Sequence, residues 1–325
     1  MIKILELFGG AGAPRKALID LNVKHKSIDY VEIDEKAVRA YNVLYDKTIA
    51  AQSVVGYNLQ PDILVHGSPC QDFSRAGNRW GGGKEDKTRS SLLFETLKII
   101  QNMGVWKPRV VLWENVKGVL DRDMIHAFND YLVEMETLGY TNSYQVLNAM
   151  DYGIPQKRER VYTVSILGNA KFDFSRLEQK NMRPISEFLE TNVSDLYTIK
   201  IPSMLRKIEA LKMPRSNTGY NRFLDVIDTH CWTISTRQDR CPNAGIIKIS
   251  EQEYRYLTEL EISRLMGFSD DDHAKLLTEY PNKKGKKNAT LYKLYGNSIV
   301  VNVLVAIYKV LIEMGILSAE EVGFA

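Results

Sequence analysis

Cysteine pairs, histidine and long apolar runs are what this 325-residue chain has least of. No apolar segment reaches the length of a bilayer span, so none is expected to cross a membrane. No Cys-x-x-Cys pair occurs and only five histidines are present, so no zinc or other metal site is expected. The three cysteines, Cys70, Cys231 and Cys241, make no disulfide framework and point to a reducing, cytoplasmic setting. Residues 2–8 run straight into structure with no signal peptide. Neither an internal repeat nor a low-complexity tract follows. A net charge of +3 permits a nucleic-acid partner without demanding one. Ordinary apolar and charged fractions at this length leave a soluble globular chain of one or two domains.

What is present centres on Asp62-Ile63-Leu64-Val65-His66-Gly67-Ser68-Pro69-Cys70-Gln71. The apolar run reads as a buried parallel strand that Pro69 stops, because proline cannot donate to a ladder. Cys70 then falls at the carboxyl end of a strand, where open α/β sheets keep their ligand crevice. Upstream, residues 2–8 read as a strand and Phe8-Gly9-Gly10-Ala11-Gly12-Ala13 as a glycine-rich turn. A helix to about Leu21, a strand from Ser27 to Ile33 and the acid Glu32 follow, the pattern of a βαβ nucleotide site. The glycines let a ligand approach the backbone, and Glu32 is placed to accept from ribose hydroxyls. A dinucleotide and a methyl-donor nucleoside both satisfy that pattern.

After Cys70 comes a basic, glycine-rich loop over residues 75–89, which reads as a lid able to meet phosphates through residues such as Arg75 and Arg89. A helix over 90–102 precedes a buried strand, Arg109 to Trp113, which delivers Glu114 to the same sheet edge. Asp121 to Leu138 reads as a helix and Tyr144 to Met150 as a strand. Arg158 and Arg160 stand two apart entering another strand, so both project to one face. From about Ala170 to Ile249 the βαβ rhythm is lost, as expected of a smaller domain. Tyr254 to Phe268 reads as a capped helix. The last helix is expected to open at Tyr295-Gly296-Asn297-Ser298 and run apolar to about Leu317.

Cys70, Glu114 and Arg160 form an unusual set, since a cysteine nucleophile commonly pairs with a histidine base. A thiolate, a carboxylic acid and an arginine suit addition to an electron-poor ring. The thiolate adds, the acid supports charge on a ring nitrogen, and the arginine holds a carbonyl oxygen. Beside a nucleoside-type site, that chemistry points to alkyl transfer to a pyrimidine.

In this order the segments Phe8-Gly-Gly-Ala-Gly12, Glu32-Ile-Asp34, Gly67-Ser-Pro-Cys-Gln71, Glu114-Asn-Val116, Gln156-Lys-Arg-Glu-Arg160, Arg264-Leu-Met-Gly-Phe268 and Gly296-Asn-Ser298 span nearly the whole chain. On them the sequence resembles the DNA cytosine-5 methyltransferases of bacterial restriction-modification systems and phages. The resemblance implies an α/β fold: a Rossmann-like S-adenosylmethionine-dependent methyltransferase domain (1–175), a smaller target-recognition domain (176–275) and a C-terminal segment returning to the first (276–325). It implies a flipped-out cytosine, with Cys70 as nucleophile on carbon 6, Glu114 as the acid on ring nitrogen 3, Arg160 on the carbonyl oxygen and Arg158 supporting the loop or the base. Phe8, Gly10, Gly12, Glu32, Ile33, Pro69, Asn297 and Ser298 become the cofactor set. Gln71, Ser74, Arg89, Thr236 and Arg237 become DNA contacts. Double-stranded DNA is the implied partner, with a restriction endonuclease acting separately and the enzyme itself a monomer.

Three departures stand against that pattern. Ser68 replaces a common Phe, and Ser269 follows Gly267-Phe268 in place of a Pro. The usual adenine-binding Asp is missing from Ala50-Ala51-Gln52-Ser53-Val54, which leaves Gln52 or Ser53 to serve. The rival readings are a tRNA cytosine-5 methyltransferase, whose Cys-Phe-Thr signature is absent, a silent DNA-binding regulator, which intact Cys70, Glu114 and Arg160 oppose, and a nicotinamide dehydrogenase, which explains only the glycines and Glu32.

Overall fold

The computed structural model describes residues 1–55, 61–67, 92–122, 124–210 and 224–317. In chain order the strands are β1 (Ile2–Leu7), β2 (His25–Val31), β3 (Ile63–His66), β4 (Val110–Val116), β5 (Tyr140–Asn148), β6 (Gln156–Lys157), β7 (Glu159–Leu167), β8 (Cys231–Trp232), β9 (Ile247–Lys248) and β10 (Tyr254–Arg255). The helices are α1 (Ala13–Asp20), α2 (Glu35–Tyr45), α3 (Leu92–Asn102), α4 (Ile125–Thr137), α5 (Pro202–Ala210), α6 (Glu259–Leu265), α7 (Asp270–Glu279), α8 (Ala289–Asn297) and α9 (Val301–Glu313).

Six strands form one mixed sheet in the order β2-β1-β3-β4-β7-β5. β1 to β4 pair in parallel, while β7 runs antiparallel to both β4 and β5. The strands read as unbroken apolar runs because both faces are covered. Ile2, Ile4, Ile63, Val65, Val110 and Leu112 bury against the side carrying α1, α2 and α9. Leu5, Leu7, Leu64, Val111 and Trp113 bury against α3 and α4. The chain leaves β1 toward β2 on one side and toward β3 on the other. The carboxyl ends of β1 and β3 therefore flank the topological switch point, where such sheets bind ligands.

Several boundaries differ from those expected. β2 ends at Val31, so Glu32 and Ile33 lie beyond the strand, on the crevice edge. Only Glu259–Leu265 of the 254–268 stretch is helical: Thr258 and Glu261 form a capping box that starts α6 there, and Tyr254–Arg255 pair with β9 instead. The last helix, expected to open at Tyr295, begins only at Val301, and a helix not expected from the sequence, α8, precedes it. α8 ends at Asn297, Ser298 is extended, and α9 begins at Val301. Ala289–Glu313 taken as one stretch is long and apolar enough to cross a membrane by length and composition alone, which corrects the expectation that no segment is. About two-thirds of its most apolar 18-residue window (67%) is buried within the fold, where the α9 apolar face packs among the core residues of α1. A smaller cluster around Ile199, Ile208, Leu224, Ile246, Tyr254 and Tyr256 forms a separate core. Leu257 to Phe268, by contrast, packs into the main core. Ser269 caps α7 through a box with Asp272, a role the family's proline could not fill with a side-chain oxygen.

Buried His66 lies face to face with Trp113, and its Nε2 is 3.2 Å from the Tyr131 hydroxyl. Burial pushes its imidazole down to about 3. The unfolded chain then takes up the proton first as pH falls below the ordinary histidine range. His66 therefore contributes stability that is fully present above about pH 6.5 and lost as pH falls toward 3. The shift is worth about 5 kcal/mol as an upper figure. Urea unfolding across that range should show this acid loss in the wild type and a flatter profile in His66→Gln; matching slopes would show that His66 does not carry it.

Candidate active site

Glu114 emerges from β4 one position past Trp113, the last residue of β4 paired with β3. In the antiparallel ladder Glu114 faces Tyr162 and Val116 faces Arg160. Glu114 and Arg160 are therefore diagonal neighbours on one face of the sheet, within reach of long side chains. Their Oε1 and Nε atoms lie 3.2 Å apart, and each side chain is about one-seventh exposed (13% and 14%). Burial pushes the Glu114 carboxyl up, and the Arg160 and Arg158 guanidiniums pull it partly back. The result is an acid that holds a proton more readily than a free glutamate while remaining oriented by a cation. Gly67, three residues before Cys70, abuts this pair: a Cβ built there would stand 3.9 Å from Glu114 Oε2.

The glycine turn lies across the same cavity. Phe8, Gly10 and Gly12 all have positive φ, and Gly12 opens α1. A Cβ on Gly12 would meet the Tyr45 ring at 2.6 Å, so a larger residue is excluded by contact as well as by conformation. Three tyrosines hold the turn from beneath. Tyr30 donates to the Gly10 carbonyl, and Tyr45 donates to the Gly12 carbonyl at 2.7 Å. Tyr41 donates to Glu6 at 2.6 Å. Glu6 accepts in turn from the Arg15 amide in the first turn of α1, which Gly12 cannot cap with a side chain. The Arg15 guanidinium lies over the Tyr45 ring. Drawing these carbonyls inward leaves the outer side of the turn free for a ligand.

Glu32 ties the turn to β2. One of its oxygens accepts from the Gly10 amide at 3.2 Å, and the other accepts from Ile33 and Asp34. Each carboxylate oxygen keeps further acceptor capacity, so the residue can still receive hydroxyls. Ile33 beside it is 73% exposed, an apolar face at the mouth of the crevice. Gln52 is pinned alongside: its amide donates to the Glu32 carbonyl, and its side-chain nitrogen donates to Asp29 at 3.2 Å. Ser53 accepts from Val55.

The far wall comes from the end of α8. Asn297, Ser298 and Ile299 join Phe8, Gly10, Pro14, Val65, Gly67, Glu6 and Glu114 around a cavity of about 50 Å³. Arg158 fixes that wall. It is buried, and its guanidinium donates to the carbonyls of Ile234, Gly296 and Ser298 at 3.0, 3.2 and 2.9 Å. A Cβ on Gly296 would come within 2.6 Å of Ser235 C, so the two segments touch backbone to backbone. Buried Gln156 repeats the pattern, accepting from Ile234 and donating to the Leu265 carbonyl. Arg158 and Arg160 thus reach different targets despite their spacing.

Of the other expected site residues, Thr236 and Arg237 line a surface cleft at the start of α8. Pro69, Cys70, Gln71, Ser74 and Arg89 lie outside the described residues. Glu6, Tyr30, Tyr41 and Tyr45 were not singled out from the sequence, and Gln156 was named only within its matching segment. A glutamate inside an apolar strand just ahead of a glycine turn was the available signal for Glu6.

Complete burial pushes the Glu6 carboxyl up to about 7, against the pull of its Tyr41 and Arg15 contacts. A raised folded value means that the stabilisation is present below about pH 4.5 and lost as pH rises to 7, by about 3 kcal/mol. Glu6→Gln should therefore gain on the wild type steadily over that interval in urea unfolding; parallel curves would refute the assignment.

Comparison with known proteins agrees with this geometry. The family profile for C-5 cytosine-specific DNA methylase matches residues 2–313. The type II methyltransferase M2.ScrFI of Lactococcus lactis subsp. cremoris is 27% identical, over 95% of this chain and 98% of its own. M.NgoBI of Neisseria gonorrhoeae is 30% identical, over 95% of this chain and 93% of its own. The S. pombe Dnmt2 methyltransferase structure shares the fold with a TM-score of 0.75 at 21% identity, covering 97% of this chain and 99% of its own. A family match over nearly the full length, on a sheet that gathers the glycine turn, Glu114 and Arg160 at one edge, shows that the chain belongs to the C-5 cytosine-specific DNA methylases.

Proposed function

We propose that this enzyme transfers the methyl group of S-adenosylmethionine to carbon 5 of a cytosine flipped out of a short specific DNA sequence, through a covalent adduct on Cys70. One observation carries the reading: Glu114, the pyrimidine-directed acid, and the glycine turn, the cofactor cradle, line a single cavity. The cavity alone suits only the methionine end of the cofactor. Glu32, with spare acceptor capacity, and the exposed Ile33 face suit its ribose and adenine. The side-chain oxygen of Gln52 is our candidate for the adenine amino group.

When bound, the cofactor supplies an electrophilic methyl group. The protein supplies the rest. The Cys70 thiolate adds its electron pair to cytosine carbon 6, and the ring π electrons move toward nitrogen 3, where Glu114 holds the proton. Carbon 5 thereby becomes the nucleophile that takes the methyl. Loss of the carbon 5 proton to a base and expulsion of Cys70 restore the aromatic ring. Arg160, already against Glu114, orients that acid and is the residue we assign to the ring carbonyl oxygen. Arg158, spent on three backbone carbonyls, positions the wall. The type II designation of the relatives supports a separately acting restriction endonuclease as companion, and we take the acting unit to be a monomer.

Bisulfite sequencing of DNA from cells making the protein should reveal protected cytosines in one short context. Soluble protein with no protected cytosine would overturn the reading. Cys70→Ala should lose methyl transfer by at least about 10³-fold while retaining DNA binding. Glu114→Gln should lower kcat by about 10²–10⁴-fold, with the KM for S-adenosylmethionine changed only a few-fold. Near-wild-type methylation by either variant in a radiolabel assay would remove that residue from the mechanism.

A further inference from the structure

Resting on that reading, we propose that the surface cleft at the start of α8 is a docking site for the phosphodiester backbone of the DNA substrate. Lys36, Arg237, Arg240 and Lys293 converge there from three separate stretches of chain around about 370 Å³ of open space. Asp239 is the acidic residue in the lining. Its charge also acts on Lys287, which sits over the Tyr256 ring. Lys293 is paired with Asp34, and Lys36 reaches Thr290 at 3.4 Å. Arg237 and Arg240 have no carboxylate partner among the described residues and are exposed. The cleft therefore keeps an excess of cations, the electrostatic footprint that phosphates recognise.

The arrangement is built by its surroundings. Residues 235–241 fold into tight turns in which the Arg240 and Cys241 amides both donate to the Arg237 carbonyl, at 3.1 and 2.7 Å. The turn brings both Arg237 and Arg240 to the cleft. Gln238, between them and fully buried, anchors the turn by donating to the Gly245 carbonyl and accepting from the Ala244 amide. The position also suits DNA. α8 starts at the cleft and ends at the Asn297 wall of the active-site cavity. Its nine residues span about 13 Å at 1.5 Å per residue. A strand held in the cleft would thus lie a few nucleotides from the reacting cytosine, at a rise of about 3.4 Å per nucleotide. Thr236 and Arg237 were expected to meet DNA from sequence; Lys36, Arg240 and Lys293 are additions from the structure.

The test is the salt dependence of binding to a short duplex carrying the sequence found by bisulfite mapping. Arg240→Gln and Lys36→Gln should each lower the slope of log affinity against log salt by about one. Binding of S-adenosylmethionine and kcat at saturating DNA should be unchanged. Lys309→Gln, at a half-buried lysine paired with Glu178 outside the cleft, should leave the slope as in the wild type. Unchanged slopes for Arg240→Gln and Lys36→Gln would overturn the site while the methylation reading stands. Absence of any DNA binding by the wild type would overturn both. Inorganic phosphate titrated at constant ionic strength separates the remaining source of the same chemistry. Stabilisation of the wild type by phosphate, with no change of slope in the variants, would make the cleft a free-anion site and sink the proposal.

Discussion

Three backbone carbonyls, from Ile234, Gly296 and Ser298, converge on the buried guanidinium of Arg158. The active-site wall depends on this contact. Arg158 lies between β6 and β7, Ile234 follows β8, and Gly296 and Ser298 end α8. One side chain therefore ties the sheet edge, the stretch after β8 and the end of α8 into a single wall. Hydrogen bonds to a charged donor are worth about 1.5–3 kcal/mol each, and leaving such a charge buried without its partners costs more than the bonds themselves. Gly296 permits the approach because any side chain there would strike Ser235.

Against that wall the fold sets two buried carboxylates to different work. Glu114 sees Arg160 and Arg158 and opens to the cavity, so its proton is available to a bound ring. Glu6 borders the same cavity from under the glycine turn, but Tyr41 and the first turn of α1 take up its oxygens. Both are raised by burial, yet only Glu114 is oriented by an adjoining guanidinium at the reacting edge. The distinction comes from strand register. Glu114 stands beyond the end of β3, while Glu6 lies within β1 beneath a covering helix.

Much of this was legible in the chain because the chemistry demands residue types at fixed strand ends. Apolar runs terminated by Gly-Ser-Pro or by Glu114, and a glycine turn followed by Glu32, announce a crevice whatever surrounds it. The mixed sheet, with β7 inserted antiparallel between β4 and β5, was not legible, since strand order is set by long-range pairing. Nor was α8: the sequence pattern opens the last helix at Tyr295, whereas α8 already ends at Asn297, Ser298 is extended, and Arg158 takes the carbonyls of Gly296 and Ser298 at the break. Spacing alone put Arg158 and Arg160 on one face; only tertiary contacts show that one reaches backbone and the other a carboxylate. The tyrosines beneath the glycine turn escaped notice because buried tyrosine is ordinary until its hydroxyl partner is known.

The most direct test of this account is the thermal unfolding midpoint of Arg158→Lys measured beside Arg160→Lys. Lysine keeps the charge of Arg158 but cannot reach three carbonyls with one fixed fork. The account predicts a clear drop in midpoint, several degrees or more, for Arg158→Lys and a near-wild-type midpoint for Arg160→Lys. An Arg158→Lys protein as stable as the wild type would contradict the claim that this guanidinium holds the site together.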